Sequence, residues 1–182
     1  MGAVTTMPVS GEWTIDDLDA LPDDGLRYEL VDGVLLVSPS PLVPHQVGLA
    51  ALLVRLTSAA PADLRVLPAP LDVPFSRTRQ LQPDIVVLHR SEPMDRKVTG
   101  LPVLVVEVLS ASTRATDATL KRHVFEQAGV PSYWLLDPDV PSLTVLELRA
   151  GTYVEVASVS GDQSFAAERP FPVTIVPGRL LR

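Results

Sequence analysis

Several features are missing from the sequence, and each absence excludes a class of protein. There is no cysteine, so disulfide bonds and thiolate metal sites are excluded, which is consistent with a reducing compartment. No apolar run reaches the roughly 20 residues that a membrane-spanning helix needs. The N-terminus has no basic region followed by an apolar stretch, so we recognise no signal peptide. We therefore expect a cytoplasmic protein without a membrane span.

The motifs of several enzyme classes are absent as well. The sequence shows no nucleophilic triad, no phosphate-cradling loop and no histidine-rich zinc pattern. Its three histidines, at positions 45, 89 and 123, do not have the spacing of metal ligands. Lysine is scarce, because Lys97 and Lys121 are the only two and arginine supplies the other basic side chains.

What is present is the composition of an ordinary folded protein. The 182 residues are 46% hydrophobic and 20% charged, which suits one domain with a core of its own. The net charge of -7 disfavours a protein that coats nucleic acid by bulk attraction. The segment from Arg77 to Arg122 nevertheless contains eight basic and five acidic residues, a net charge of +3. This segment predicts either a locally basic working face or a solvated surface with scattered arginines.

Apolar periodicity and turn residues predict a fold of the α/β (α+β) class, with a mixed β-sheet flanked by helices. We predict helices over 14–21, 44–58 and 116–128, and strands over 28–31, 34–37, 64–67, 70–75, 84–88, 102–110 and 133–137, followed by an antiparallel C-terminal meander. The dipeptide Asp32-Gly33 is typical of the turn of a β-hairpin. The step from strand 102–110 through a helix to strand 133–137 is typical of a βαβ crossover.

Glu107 is the most informative acidic residue, because it lies inside the apolar run from Val103 to Leu109. A continuous apolar strand is usually covered on both faces. An ionised carboxylate is costly there unless it meets a cation or hydrogen-bond donors. Glu107 is therefore a candidate metal ligand, unless the strand lies at an edge and the side chain points to water.

Asp84 begins the strand DIVVL, directly after Pro83. On its own it reads most simply as a turn residue at the start of a strand. Together with Glu107 it suggests a shared metal site. A carboxylate at the start of one strand and another inside a neighbouring strand can meet at one end of a sheet. Hard divalent ions prefer such oxygen ligands, and Mg²⁺ takes one or two protein carboxylates with water and substrate phosphate.

Lys121 lies on the predicted helix 116–128, on a face made apolar by Leu120, Val124, Phe125 and Ala128. Asp117 precedes it by four residues on the same face, so the two side chains can contact each other. The lysine either extends to the surface and pairs with Asp117, or it provides a cation that holds an attacking water or a phosphate oxygen.

Two further side chains are candidates. Glu29 lies in the strand before the Asp-Gly turn, where it is either a fourth acidic ligand or a solvent-facing strand residue. His45 heads a helical stripe otherwise made of leucines, near the N-terminus of the predicted helix 44–58. It is either a structural histidine or a supporting residue of the site.

The chain resembles the Uma-two family in four ordered segments: YELVDGVLLVSPSP, QPDIVVL, PVLVVEVLSASTRATDATLK and AGVPSYWLLDP. Members of that family are described as candidate restriction endonucleases within the PD-(D/E)XK nuclease superfamily. The resemblance runs from about Trp13 to Val176, and the run from Glu107 to Pro138 is its most specific part. It implies one restriction-endonuclease-like domain over residues 1–182, of which we expect 1–12 to be flexible.

The resemblance also implies a set of site residues. Asp84 and Glu107 would bind Mg²⁺ or Mn²⁺, helped by the backbone carbonyl of Val108, and Glu29 would join the acidic cluster. The signature of the superfamily places a lysine two residues after the glutamate, but Leu109 stands there in this sequence.

The family's lysine comes instead from the following helix, which matches Lys121, and Asp117 would position it. The resemblance thus implies a metal-dependent endonuclease that cleaves phosphodiester bonds in DNA. The alternative is a non-catalytic nucleic-acid-binding or assembly module on the same fold, because a fold does not guarantee chemistry. Exposed strand edges and the apolar meander predict a symmetric homodimer.

Overall fold

The computed structural model describes residues 11–22, 24–38, 40–93, 95–110 and 114–182. Most of the segment 1–12 lies outside these ranges, and so do the side chains of Thr116 and Asp117. Within them the helices are α1 (Ile15–Asp19), α2 (Val43–Ala59), α3 (Arg114–Thr116), a π-helical turn (Asp117–Lys121), α4 (Arg122–Ala128) and α5 (Pro177–Leu180). The strands are β1 (Arg27–Val31), β2 (Val34–Ser38), β3 (Leu64–Pro68), β4 (Val73–Ser76), β5 (Arg79–Leu81), β6 (Ile85–His89), β7 (Leu104–Val108), β8 (Ser132–Asp137), β9 (Ser142–Arg149), β10 (Thr152–Ser160), β11 (Phe165–Ala167) and β12 (Val173–Ile175).

A six-stranded mixed sheet, in the order β10-β9-β8-β7-β6-β3, forms the centre of the fold. β7 and β8 are parallel, whereas the other neighbours in this sheet are antiparallel. Parallel strands need a long crossover, and α3, the π-helical turn and α4 provide it between β7 and β8. The predicted βαβ crossover is therefore confirmed. The predicted meander is confirmed for β9 and β10, whereas β12 pairs with β11 in a separate two-stranded sheet.

Both faces of β7 are covered, as its apolar sequence predicts. On one face, Leu52 of α2 and Val106 belong to the same apolar cluster. On the other face, Phe125 of α4 and Val105 belong to a second cluster. Because side chains alternate along a strand, Glu107 lies on the face of Val105, toward α4. The strand is internal to the sheet, so the alternative in which Glu107 points to water from an edge strand is wrong.

The predicted hairpin of β1 and β2 is present, and its turn has the expected chemistry. Asp32 and Gly33 have φ values of 48° and 76°, which are the positive values of a type I′ turn. The hairpin is half of a four-stranded sheet in the order β2-β1-β5-β4. The segment 82–84 leads from β5 of this sheet directly into β6 of the central sheet. This connection brings β1 close to the start of β6.

Two differences from the prediction bear on the site. β5 was not predicted, because three residues are too few to show an alternating pattern, yet its pairing with β1 and β4 buries Gln80 and Leu81. Leu120 is 47% exposed, although regular helical spacing places it on the apolar face. The wider i→i+5 spacing of the π-helical turn changes the phase of the helix there, so Lys121 is buried and Leu120 is not.

Helices of the described ranges fall short of the length and apolar character that a bilayer crossing requires. The helix over 14–21 is confirmed in a shorter form, with Thr14 as its N-cap and a capping box to Asp17. The helix over 44–58 is confirmed within a residue at each end. These two helices needed only local signals, which is why the sequence predicted them well.

Candidate functional site

Three acidic side chains from three parts of the chain are buried next to one another. Glu29 of β1, Asp84 directly before β6 and Glu107 of β7 are only 1%, 2% and 1% exposed. The antiparallel register pairs Ile85 with Val106, and continuing it by one residue places Asp84 across from Glu107. Glu29 reaches the same place because its Oε1 accepts a hydrogen bond of 2.9 Å from the backbone N–H of Gln82.

Asp84 is held by donors from three other parts of the chain. Its Oδ2 accepts a 2.7 Å hydrogen bond from the backbone N–H of Val108 and faces His45 Nε2 at 3.1 Å, while its Oδ1 accepts from Arg27 Nη1 at 3.1 Å. Burial works against the charged form of the carboxyl group. The hydrogen bond from His45, the charge of Arg27 and the N–H of Val108 outweigh it, and they lower the pKa of Asp84 to about 2. Asp84 is therefore an ionised carboxylate at neutral pH.

Lys121 lies between the other two acidic residues. Its Nζ is 3.0 Å from Glu29 Oε2 and 3.1 Å from Glu107 Oε1, and the whole residue is 3% exposed. The alternative in which Lys121 extends to the surface is wrong, because the π-helical turn directs the side chain into the cluster. The structure thus brings Glu29, Asp84, Glu107 and Lys121 together, as their grouping in the sequence analysis anticipated.

Arg27 completes this cluster, and sequence reasoning missed it. Its guanidinium lies 3.1 Å from Asp84 Oδ1, 3.4 Å from Glu29 Oε1 and 3.8 Å from Glu107 Oε2, and it also donates to the carbonyl of Gln82. Burial disfavours its charge, but the three carboxylates outweigh burial and raise the pKa of Arg27 well above its usual range. The sequence did contain a signal for Arg27, because residues 27 and 29 of one strand point to the same face of the sheet.

His45 supports the cluster from helix α2. It is 8% exposed, at the N-terminal end of a buried stripe that continues with Gly48, Leu52 and Leu56. An ionised Asp84 can only accept, so the ring nitrogen Nε2 carries the hydrogen and donates to it. The other ring nitrogen, Nδ1, is buried and has no hydrogen-bond partner within the described part of the chain. His45 therefore orients Asp84 through one nitrogen.

The cluster has more negative than positive charge. Three carboxylates face Arg27 and Lys121, which leaves a net charge of -1 when His45 is neutral. Among the described residues, no group of three or more histidine, aspartate or glutamate side chains is arranged to hold a metal ion. Two carboxylates with water are a usual donor set for Mg²⁺. Asp84 and Glu107 fit such a site by their chemistry, with oxygen donors and a negative surplus.

The remaining predicted residues have different outcomes. Val108 contributes its backbone N–H to Asp84, as described above, and the role predicted for its carbonyl stays a prediction. Leu109, at the position of the superfamily's lysine, is 8% exposed and belongs to the apolar cluster beneath α4. The side chain of Asp117 lies outside the described residues, so its predicted contact with Lys121 stays a prediction too.

Comparison with known proteins places this chain in a family. A solved structure from Anabaena variabilis, described as "a putative nuclease belonging to DUF820", superposes with a TM-score of 0.71 at 19% identity and covers 93% of this chain and 97% of its own. At that identity the likeness establishes a shared fold. No curated protein matches the sequence. The profile of the Uma2 (Uma-two) family, described as "Putative restriction endonuclease", matches residues 15–177. Because the match spans most of the chain, this protein belongs to the Uma2 family.

Proposed function

We propose that this protein is a metal-dependent endonuclease that hydrolyses phosphodiester bonds in DNA. The observation that carries the proposal is the convergence of Glu29, Asp84 and Glu107 with the buried ammonium of Lys121. Burying three carboxylates and two cations is costly, and an apolar cluster of similar volume often stabilises a fold as well or better. Groups with such a cost are expected where they perform chemistry. The family description supports a nuclease in particular.

Asp84 and Glu107 would hold the metal, Mg²⁺ or Mn²⁺, with the backbone carbonyl of Val108 as a further oxygen ligand. When bound, such an ion polarises the scissile phosphate and lowers the pKa of a coordinated water. The two carboxylates enter from neighbouring strands, so the sheet itself sets their separation. His45 keeps Asp84 in its orientation through the 3.1 Å contact.

Lys121 would act on the reacting groups. Glu29 and Glu107 fix its ammonium from two sides, so the ammonium would be in place before the substrate arrives. A preorganised cation of this kind orients the attacking water and balances the charge that builds on the phosphate. Glu29 acts in the site through Lys121, and Asp117 would position the same lysine from its own helix.

Cleavage of supercoiled plasmid with Mg²⁺ or Mn²⁺ tests the proposal. We expect Asp84→Asn and Glu107→Gln each to lower the cleavage rate at least about a hundredfold, because each removes a charged oxygen ligand. Glu126→Gln is the matched control, since Glu126 is a partly buried carboxylate that accepts from the backbone N–H of Tyr153, outside the cluster. It should cleave like the wild type, and a chelator should abolish cleavage by both.

Cleavage that survives in both Asp84→Asn and Glu107→Gln would come from another site or a contaminant, and the proposal would be wrong. Circular dichroism and thermal melting of each variant separate lost chemistry from lost folding. A variant that is folded and inactive supports the proposal, whereas one that is unfolded is replaced by the milder Asp84→Glu.

The second candidate is a non-catalytic nucleic-acid-binding or assembly module. The observation that favours it is the ion pairing itself, because Arg27 and Lys121 together contact all three carboxylates. Calorimetric titration with Mn²⁺ distinguishes the two candidates. Binding that Asp84→Asn abolishes supports the endonuclease, and no binding at millimolar Mn²⁺ supports the module.

A further inference from the structure

Arg27 and Lys121 both neutralise the acidic cluster, but only one of them reaches solvent. The Arg27 side chain is 25% exposed, whereas that of Lys121 is 4% exposed and those of the three carboxylates are 3% or less. Arg27 is the first residue of β1, and the preceding Leu26 is 49% exposed. Arg27 therefore lies on the solvent side of the cluster, at the beginning of β1.

The guanidinium contacts oxygens of both carboxylates that would bind a divalent cation. One of its nitrogens bonds to Asp84 Oδ1, and the other faces both Glu29 Oε1 and Glu107 Oε2. A cation bound to Asp84 and Glu107 would lie beside a second positive charge, and like charges at that separation repel strongly where water is scarce. Arginine does not lose its proton in proteins, so deprotonation cannot relieve this repulsion.

We infer that Arg27 is an internal counter-cation of the acidic cluster and that it moves away from Asp84 and Glu107 when a divalent cation binds. The inference rests on the proposed metal site. It assigns the movement to Arg27 because Lys121 is enclosed by protein, while Arg27 has solvent on one side. Binding of the metal and bonding of Arg27 are then mutually exclusive, which is a negative coupling between two cations for the same oxygens.

The first experiment measures Mn²⁺ affinity by calorimetry for the wild type, Arg27→Gln and Arg79→Gln. Arg79 is a matched control, because its side chain is also 25% exposed and pairs with a carboxylate, that of Asp32. We expect Arg27→Gln to bind Mn²⁺ about tenfold or more tightly than the wild type, since the competing charge is gone. Arg79→Gln should bind like the wild type, which excludes an effect of overall charge.

The second experiment uses the unaltered protein, so it does not depend on a variant that folds. Phenylglyoxal modifies accessible guanidinium groups, and peptide mass spectrometry reports the rate at each arginine. We expect Mg²⁺ to raise the rate at Arg27 several-fold, because the released side chain becomes accessible. The rate at Arg79 should not change with Mg²⁺.

The outcomes separate this inference from the proposed function. Equal Mn²⁺ affinity of wild type and Arg27→Gln, or a rate at Arg27 that Mg²⁺ leaves unchanged or lowers, overturns the inference and leaves the metal site standing. Absence of Mn²⁺ binding in the wild type and in Arg27→Gln alike overturns the proposed function and the inference with it. Tighter binding by Arg27→Gln together with faster labelling of wild-type Arg27 supports both.

Discussion

At the scale of single residues, the two lysines of the chain occupy opposite environments. Lys121 is enclosed between Glu29 and Glu107, whereas the Lys97 side chain is 19% exposed and pairs with Asp19, a carboxylate that is itself 44% exposed. A buried ion pair that loses one partner leaves an uncompensated charge in the protein interior. When an exposed pair loses one partner, water solvates the charge that remains. Burial, and not the residue type, decides what each lysine contributes.

The two lysines therefore make a direct comparison. We expect Lys121→Met to lower the free energy of unfolding by about 3 kcal/mol, because Glu29 and Glu107 stay buried and lose the ammonium that lies between them. Lys97→Met should cost about 1 kcal/mol, from a surface pair and the hydrogen bond to Gln80. Urea denaturation followed by circular dichroism measures both values.

Cleavage assays on the same two variants report on the proposed chemistry. Lys121→Met should cleave DNA about a hundredfold or more slowly under conditions in which it stays folded, and Lys97→Met should cleave at the wild-type rate. Equal losses of stability in the two variants would contradict the buried position of Lys121. Full activity of folded Lys121→Met would remove it from the mechanism.

At the scale of elements, the crossover between β7 and β8 is fixed at its start by an ion pair with the end of β8. Arg114 of α3 donates to both carboxylate oxygens of Asp137, the last residue of β8. Asp137 Oδ1 also accepts hydrogen bonds from the backbone N–H groups of Asp139 and Val140. The same carboxylate thus holds two segments in place. One is α3, which leads into the π-helical turn that contains Lys121, and the other is the turn that follows β8.

The titration of Asp137 predicts a dependence of stability on pH. Burial raises its pKa, but the hydrogen bonds from Arg114 and Val140 outweigh burial and leave the pKa below its usual value. A lowered pKa in the folded state stabilises the protein above the unfolded value of about 3.9, and this contribution is lost as the pH falls below it. We expect Asp137→Asn to cost about 1 to 3 kcal/mol at pH 7.

The difference between wild type and Asp137→Asn should shrink as the pH falls below about 4, because the wild-type carboxyl group is then protonated as well. Urea denaturation at pH 7, 5 and 3 measures it. A difference that stays constant over this range would mean that the charge of Asp137 contributes nothing to stability.

At the scale of the whole molecule, the basic surplus of the segment from Arg77 to Arg122 is largely neutralised by folding. Arg79 pairs with Asp32, Lys97 with Asp19, and Lys121 with Glu29 and Glu107, each partner except Glu107 coming from outside the segment. The two predictions for this segment were a locally basic working face and a solvated surface with scattered arginines. The ion pairs support the basic face less well than the solvated surface. DNA binding under the proposed function would depend on the metal and on a few arginines.

Self-association is a second property of the whole molecule. We propose a homodimer, and its support is the set of large apolar side chains that β2 and α2 expose, namely Val34, Val37, Val43 and Val54. Contiguous exposed apolar surface marks interfaces, and a dimer that covers these valines would remove them from water. Light scattering over a range of concentrations should give a mass of two chains. A concentration-independent mass of one chain would contradict the dimer.

One domain over residues 1–182 is likewise our proposal. The segment 82–84 ties the four-stranded sheet to the central one, and the acidic cluster draws side chains from both sheets. A single domain should unfold in one cooperative transition, with circular dichroism and tryptophan fluorescence giving the same midpoint. Two separate midpoints would indicate two independently folding parts.

The site was predictable from the sequence to different degrees. Glu107 stood out because a lone carboxylate in an apolar strand demands a partner, and Lys121 because the chain has only one other lysine. Arg27 did not stand out, because an arginine at the start of a strand usually points to water. Its partner Asp84 is 57 residues away, and no local pattern encodes a contact of that length.

The sequence by itself determined the local structure, since the Asp32-Gly33 turn, the capping box of α1 and the apolar alternation of the strands act over a few residues. Only the tertiary structure decided which charges meet. The pairing of β1 with β5 and of β6 with β7 selects the partners of Glu29, Asp84 and Glu107, and the π-helical turn directs Lys121 toward them. Periodicity assigns a side chain to a face of its element, whereas the charge opposite that face belongs to a distant part of the chain.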